Sequence, residues 1–265
     1  MATWERVVIL LSGGVDSSLL LRAAAAILGH GVLALTFTGP HYPAEEAEAA
    51  RTLARHLGVR QRLAAFDPFL LPDFRHNTPR RCYACKQALY RRSWEIAGQE
   101  GAAAVLDGTT ADDAPADRPG LAAAAELRIR SPLRETGWHK NEIRELSRFW
   151  HLPGWDRPAQ SCLATRFPVN TLLSSQDLQK VDQVERLLRQ QGFGPVRLRV
   201  HGEVVRLEIP SEQWPKLLQT EILTLLQQTA ALLGWRYVTL DLHGYQSGSM
   251  NAPPAGDPDR RPGQS

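Results

Sequence analysis

The chain has 265 residues, 43% hydrophobic and 22% charged, with a formal net charge of +3 and a sequence pI near 8.9. That composition is ordinary for a globular protein and excludes a fibrous or largely disordered chain, while the mildly basic balance suits a small anionic ligand and lacks the concentrated basic face of a nucleic-acid-binding protein. Three cysteines cannot all pair within one chain, no stretch has the order of a secretory signal and no apolar run reaches the length of a membrane span, so a reducing cytoplasm and no membrane partner are expected.

In chain order, Arg6 to Leu11 is a short apolar run ending in a Ser-Gly-Gly turn, and Ser17 to Leu28 is rich in Leu and Ala like a buried helix. The alternation repeats with a strand at Val32 to Phe37, a helix at Ala44 to Leu57 with acids at its start, and a strand at Arg60 to Phe66. A helix over Cys82 to Gln99 and strands at Ala103 to Leu106 and Leu127 to Arg130 follow. Such alternation implies parallel pairing with helices on both faces, an α/β fold built on a doubly wound parallel sheet.

Pro153, Gly154, Pro158 and Pro168 then interrupt regular structure, which sets an expected boundary at residue 168. From 169 to 250 the pattern is that of a smaller C-terminal α+β domain. It has helices at Ser175 to Gln191 and Trp214 to Leu233, and strands at Val196 to Val200, Val204 to Ile209 and Arg236 to Leu242. Residues 251–265 hold Pro, Gly, Asp and Arg without apolar spacing and are expected to be a disordered tail.

The first strand runs directly into Ser12-Gly13-Gly14-Val15-Asp16-Ser17-Ser18, which opens the first helix. Unpaired amides and the helix dipole there favour an anion, and the glycines let backbone approach it closely. No Gly-Lys-Ser/Thr is present, so this is not the loop that steers transfer of a terminal phosphate. Amides and hydroxyls without that lysine suit a retained pyrophosphate, hence cleavage between the α and β phosphates of ATP; the string resembles the pyrophosphate-loop ATPases. Asp107-Gly108-Thr109-Thr110-Ala111-Asp112-Asp113 follows the fourth strand and should emerge at the same carboxyl edge of the sheet. Its carboxylates are candidate magnesium ligands, Asp112 among them, and Lys140 is a candidate for neutralising phosphate charge.

Cys82 and Cys85 lie three apart in Arg81-Cys82-Tyr83-Ala84-Cys85-Lys86, a spacing that places both thiols on one helix face, and Arg80, Arg81 and Lys86 favour thiolate there. Cys162 lies in the irregular Pro158-Ala159-Gln160-Ser161-Cys162-Leu163-Ala164-Thr165-Arg166. Three readings fit this trio: a [4Fe-4S] cluster with one open iron, separate thiols of which Cys162 alone is reactive, or a zinc site completed by His76.

The strings SGGVDSS, NTPRRCYACK, DGTTADD followed by RPG, SPL followed by KNEIR, LPGWDRPAQSCLATRF and PVRLRVHG together resemble LarE-type sulfur transferases, in the same order and across nearly the whole chain. The resemblance implies an adenine nucleotide alpha hydrolase-like fold. It also implies adenylation by ATP of a pyridinium biscarboxylate mononucleotide and conversion of each carboxylate to a thiocarboxylate, a step toward the nickel-pincer nucleotide of lactate racemase. In single-cysteine members one cysteine, at the position of Cys162, is sacrificed to dehydroalanine. Cys82 and Cys85 depart from that form and match three-cysteine, cluster-bearing members. Arg197 and Arg199, two apart on a strand and so on one face, would by the resemblance grip the substrate phosphate, with Glu185 nearby; a homo-oligomer is also implied. Some RNA-thiolating enzymes share the loop and a cysteine trio, but no RNA-binding module is recognisable in this sequence.

Overall fold

The computed structural model describes residues 4–113 and 119–246, so the expected tail at 251–265 lies outside the described residues. The chain divides into two compact units, one of residues up to 164 with 170–182, the other of 165–169 with residues from 183 onward.

In the first unit the elements alternate: β1 (Val7–Leu10), α1 (Val15–Leu28), β2 (Val32–Thr38), α2 (Ala44–His56), β3 (Arg60–Ala65), a single-turn α3 (Pro72–Arg75), α4 (Arg81–Gln99) and β4 (Ala104–Leu106). The shorter α5 (Gly120–Glu126), α6 (Pro132–Glu135) and α7 (Lys140–Phe149) follow. The strands form one parallel sheet in the order β3-β2-β1-β4. Val7, Ile9 and Leu11 pack on one side with Leu19, Leu20 and Ala24 of α1, Leu53 of α2 and Ile143 of α7. Val8, Leu33, Leu35 and Val105 pack on the other with Tyr90 and Ile96 of α4 and Ala123 of α5. Strand periodicity of two divides the apolar side chains between the faces, and each fully buried Leu or Ile contributes about 1.5–3 kcal/mol. The sheet is therefore doubly wound. Because β4 returns to the far side of β1, the order reverses between β1 and β4, and the loops after these two strands flank the crevice where such sheets bind ligands.

One expected strand is absent. Leu127 to Arg130 leaves α5 through Arg128 at φ 53° and touches the sheet by a lone bridge between Arg130 and Leu106. The left-handed backbone at Arg128 breaks the extended conformation a strand needs.

The helix α8 (Ser175–Gln190) begins in the first unit and ends in the second. The second unit continues with β5 (Arg197–His201), β6 (Val204–Glu208), α9 (Trp214–Leu217), α10 (Thr220–Leu232) and β7 (Tyr237–Leu240). β5 and β6 are antiparallel and β6 pairs parallel with β7. Val184, Leu198, Leu207, Leu226 and Trp235 enclose its small apolar interior. The single helix expected over Trp214 to Leu233 is broken, since Gln219 adopts an extended backbone and restarts the turn as the N-cap of α10.

Candidate functional site

Between β1 and α1 the chain makes a tight cradle. Gly13 sits at φ 90°, where a Cβ would lie 2.4 Å from the Glu46 carbonyl oxygen, so only glycine fits. The Ser12 hydroxyl accepts from the Gly14 amide at 3.3 Å, and Ser17 and Ser18 donate their hydroxyls back to the Gly14 carbonyl at 3.1 and 2.8 Å. No side chain caps Gly14. α1 starts directly from this turn, with Asp16 in its first turn, and a helix offers its first amides no intrahelical acceptor.

The loop after β4 abuts this cradle. A Cβ on Gly108 would lie 2.7 Å from the Ser17 amide nitrogen and 2.9 Å from its Cα. Asp107 is buried and accepts from the Tyr90 hydroxyl at 2.9 Å, the Ser131 hydroxyl at 2.7 Å and the Thr109 amide at 3.2 Å. Asp112 is engaged at the start of α7, taking the Lys140 amide at 2.6 Å and His139 Nδ1 at 2.9 Å. The His139 and Lys140 hydrogen bonds hold its carboxyl below the usual range. Lys140 Nζ lies 3.3 Å from Asp113, which also caps the Thr110 amide at 3.0 Å. On the other side of β1, Thr38, Gly39, Pro40, Phe66, Asp67 and Phe69 line an open groove of about 760 Å³ at the ends of β2 and β3, within the size range of small-ligand sites.

The three cysteines come from two distant segments. Cys82, exposed, and Cys85, half-buried, occupy the first turns of α4. The segment bearing Cys162 is fastened beside them by its neighbour, since the Leu163 amide donates to the His41 carbonyl at 2.9 Å. His41 Nε2 in turn lies 4.0 Å from Cys85 Sγ. Burial pushes the Cys85 thiol up to about 12, with the charges of Cys162 and Cys82 adding and Lys86 opposing. His41 thus joins the Cys85 side chain to the segment that carries Cys162. Burial also pulls His41 down to about 3, and desolvation, Cys85 and Cys162 raise Tyr42. Upstream of Cys162, Arg157 bonds Glu46 at 3.2 Å, the residue whose carbonyl walls Gly13. On α4, Tyr90 links the cysteine helix to Asp107. The sulfur centre and the anion cradle therefore share one edge of the sheet. His76 is exposed and turned to the Pro72 carbonyl at 3.0 Å, whereas His41 is the imidazole at the thiols. Among the described residues no group of three or more His, Cys, Asp or Glu side chains is arranged to hold a metal ion.

The second unit holds a buried guanidinium cluster. Arg166 and Glu185, both fully buried, form a two-point pair at 2.8 and 2.9 Å, and the Leu198 amide adds a 2.9 Å bond to Glu185. Burial alone would raise the Glu185 carboxyl, but Arg166, Arg197 and that amide hold it low. Arg199 pairs with Glu208 at 2.9 Å and donates to the Thr165 carbonyl at 3.0 Å. Arg197 donates to the Val196 carbonyl at 2.7 Å and lies 5.4 Å from the Tyr245 ring centroid. Both Arg197 and Arg199 are 4% exposed, so neither is on a solvated strand face.

The asparagine synthase family model matches residues 1–191. The pyridinium-3,5-bisthiocarboxylic acid mononucleotide synthase of Lactiplantibacillus plantarum is 36% identical over 93% of this chain and 89% of that protein. The chain belongs to the LarE-type sulfur transferases of the pyrophosphate-loop superfamily. It is an ATP-using sulfurtransferase. The uncharacterized protein slr1717 of Synechocystis is 39% identical over 93% of this chain and 92% of its own length. The argininosuccinate synthase of Bartonella tribocorum is 29% identical over 58% of this chain and 41% of that protein, a partial match.

Within this LarE-type fold the structure adds His41, Tyr42, Tyr90 and Arg166 to the residues that spacing singles out. A lone histidine in a loop and a tyrosine one turn past Cys85 carry no motif signal; only Arg166, within the Cys162 string, lay in sight. The thiols should differ in reactivity. Since a thiolate reacts and a thiol does not, Cys85 should be alkylated by iodoacetamide far more slowly than Cys82 at pH 8, its rate rising about tenfold per pH unit toward about 12. Peptide mass mapping reads the ratio, and equal labelling of both at pH 8 would contradict the buried setting of Cys85.

Proposed function

We propose that this enzyme adenylates the carboxylates of a pyridinium biscarboxylate mononucleotide and converts them to thiocarboxylates, supplying the nickel-pincer nucleotide cofactor. The observation that supports this reading is that His41 ties the Cys162 segment to Cys85, near a glycine cradle at the same sheet edge. A carboxylate is a poor electrophile, so its oxygen first attacks the α-phosphorus of ATP. Pyrophosphate then departs onto the amides of Ser12 to Ser18, with Asp107, Gly108, Thr109 and Lys140 completing the site and magnesium balancing the phosphates. A sulfide-level sulfur carried by the cysteines attacks the acyl carbon, the C–S bond forms as the acyl C–O bond to phosphate breaks, and the thiocarboxylate is left as AMP departs. Arg197 and Arg199 are the proposed holders of the substrate phosphate, a role suited to paired guanidiniums.

In chemistry the donor set suits an iron-sulfur cluster, three cysteine thiols of the kind that ligate iron, although among the described residues these side chains are not arranged as a metal site. Cys82, Cys85 and Cys162 would hold it, and an open iron would supply a place for a transferable sulfide. The proposal extends to a cytoplasmic homo-oligomer acting on a small molecule. It also draws support from the name of the Lactiplantibacillus relative.

The test is made with ATP and the biscarboxylate mononucleotide on anaerobically purified protein. Cys162→Ala should still release AMP and pyrophosphate while thiocarboxylate falls at least a hundredfold. Full thiocarboxylate formation by that variant would overturn the assignment of the sulfur centre, and thiolation of tRNA in place of the mononucleotide would overturn the substrate. Iron and sulfide analysis of the parent and of Cys82→Ala tests the cluster: iron should be bound by the parent and lost from the variant.

A further inference from the structure

His41 is 1% exposed. Its ring stacks on Tyr42 with centroids 3.8 Å apart and meets the edges of Phe66 and Phe74 at 5.8 and 5.5 Å. Gly39 leaves room for it, since a Cβ there would lie 3.1 Å from His41 Cε1 and Nδ1. Such walls hold the ring in one orientation, with Nε2 4.0 Å from Cys85 Sγ, within reach of a hydrogen bond to sulfur. The opposite nitrogen, Nδ1, is buried and has no hydrogen-bond partner among the described residues.

A neutral imidazole carries one N–H, and the two tautomers are not equivalent here. With the proton on Nδ1, a donor is buried without an acceptor, and Nε2 depends on a proton from the thiol. With the proton on Nε2, the donor is satisfied by sulfur whether Cys85 is a thiol, a thiolate or a sulfur bonded to something else. Nδ1 is left unpaired in either tautomer, but a buried N–H without an acceptor is the rarer and costlier of the two orphans, so the pocket favours Nε2–H.

We propose that His41 is a positioning residue of the sulfur centre, its Nε2–H donating to the Cys85 sulfur and fixing that sulfur against Cys162. The inference rests on the reading of the three cysteines as the sulfur-transferring centre. The hydrogen bond supports negative charge on sulfur without adding a cation. The same residue ties down both cysteine segments: its ring meets Cys85 and its carbonyl accepts from Leu163, next to Cys162.

The test uses full-length, metal-free protein labelled with 15N-histidine, with His41 assigned through His41→Gln. The ring should show the Nε2–H tautomer, and Cys85→Ala should shift its Nε2 resonance while Cys82→Ala leaves it in place. A Nδ1–H tautomer, or an Nε2 resonance indifferent to Cys85→Ala, overturns the proposal. In turnover, His41→Phe, which keeps the ring shape without a donor, should lower the ratio of thiocarboxylate to AMP about tenfold, the order of a hydrogen bond to a charged partner. His41→Gln, which retains a donor, should recover part of it. An unchanged ratio in His41→Phe also overturns the proposal. Failure of the broader reading would show separately, as thiocarboxylate formed without Cys162 while the tautomer result stands.

Discussion

Gly108→Ala is expected to lower AMP formation from ATP by about a hundredfold or more, although residue 108 bears no functional group. The added Cβ would fall 2.7 Å from the Ser17 nitrogen and 2.9 Å from its Cα, and both are backbone atoms at the start of α1. A flexible side chain swings away from such a clash, but backbone in the first turn of a helix does not. Either the 107–110 loop or the cradle must shift, and displacement of a positioning group by about 1 Å can lower a rate ~10²-fold. Stability should fall as well, by roughly 1–3 kcal/mol as in other overpacked sites. Gly98→Ala in α4 is the internal comparison: its Cβ meets nothing within 4 Å, so helix propensity alone should leave it neutral or stabilised by about 0.5–1 kcal/mol. A coupled assay for AMP and a thermal melt check both. Normal AMP formation by folded Gly108→Ala would mean that the two loops move independently.

What the sequence discloses and what it withholds follow from the range of the interactions involved. β1, the cradle and α1 are legible because their determinants are local: an apolar run, paired glycines, then Leu and Ala at helical spacing. The doubly wound sheet is legible from alternation alone. Leu127 to Arg130 misleads because its alternating Leu and Ile resemble a strand, while its course is set by the left-handed turn at Arg128. The setting of Arg197 and Arg199 is hidden, since Glu185 and Glu208, which determine their charge environment, reach them only after α8 and the β5–β6 hairpin have folded. His41 is the extreme case. Its meaning resides in a cysteine 44 positions away and in a backbone bond to Leu163.

The second large effect concerns the cluster in the smaller unit, where Arg166→Ala is expected to destabilise the protein by about 3–5 kcal/mol at pH 7, the range for removing one partner of a buried ion pair. Both partners are wholly buried, and two hydrogen bonds, from Nε and Nη2, are lost together. Glu185 would keep the Leu198 amide and Arg189, at 2.9 and 3.4 Å, which sets the lower end of the range. The pH dependence has a definite sign. In the parent, Glu185 is held below its ordinary value of 4.5, so the folded state binds fewer protons than the unfolded one. That stabilisation is present above pH 4.5 and is lost as pH falls through the depressed value. Without Arg166 the burial effect prevails and the carboxyl rises, so the variant no longer loses this contribution on acidification. The gap in urea unfolding free energy between parent and Arg166→Ala should therefore narrow from pH 7 to pH 4. A gap that widened, or a loss below about 1 kcal/mol at pH 7, would show that Arg166 is not the counter-charge on which Glu185 depends.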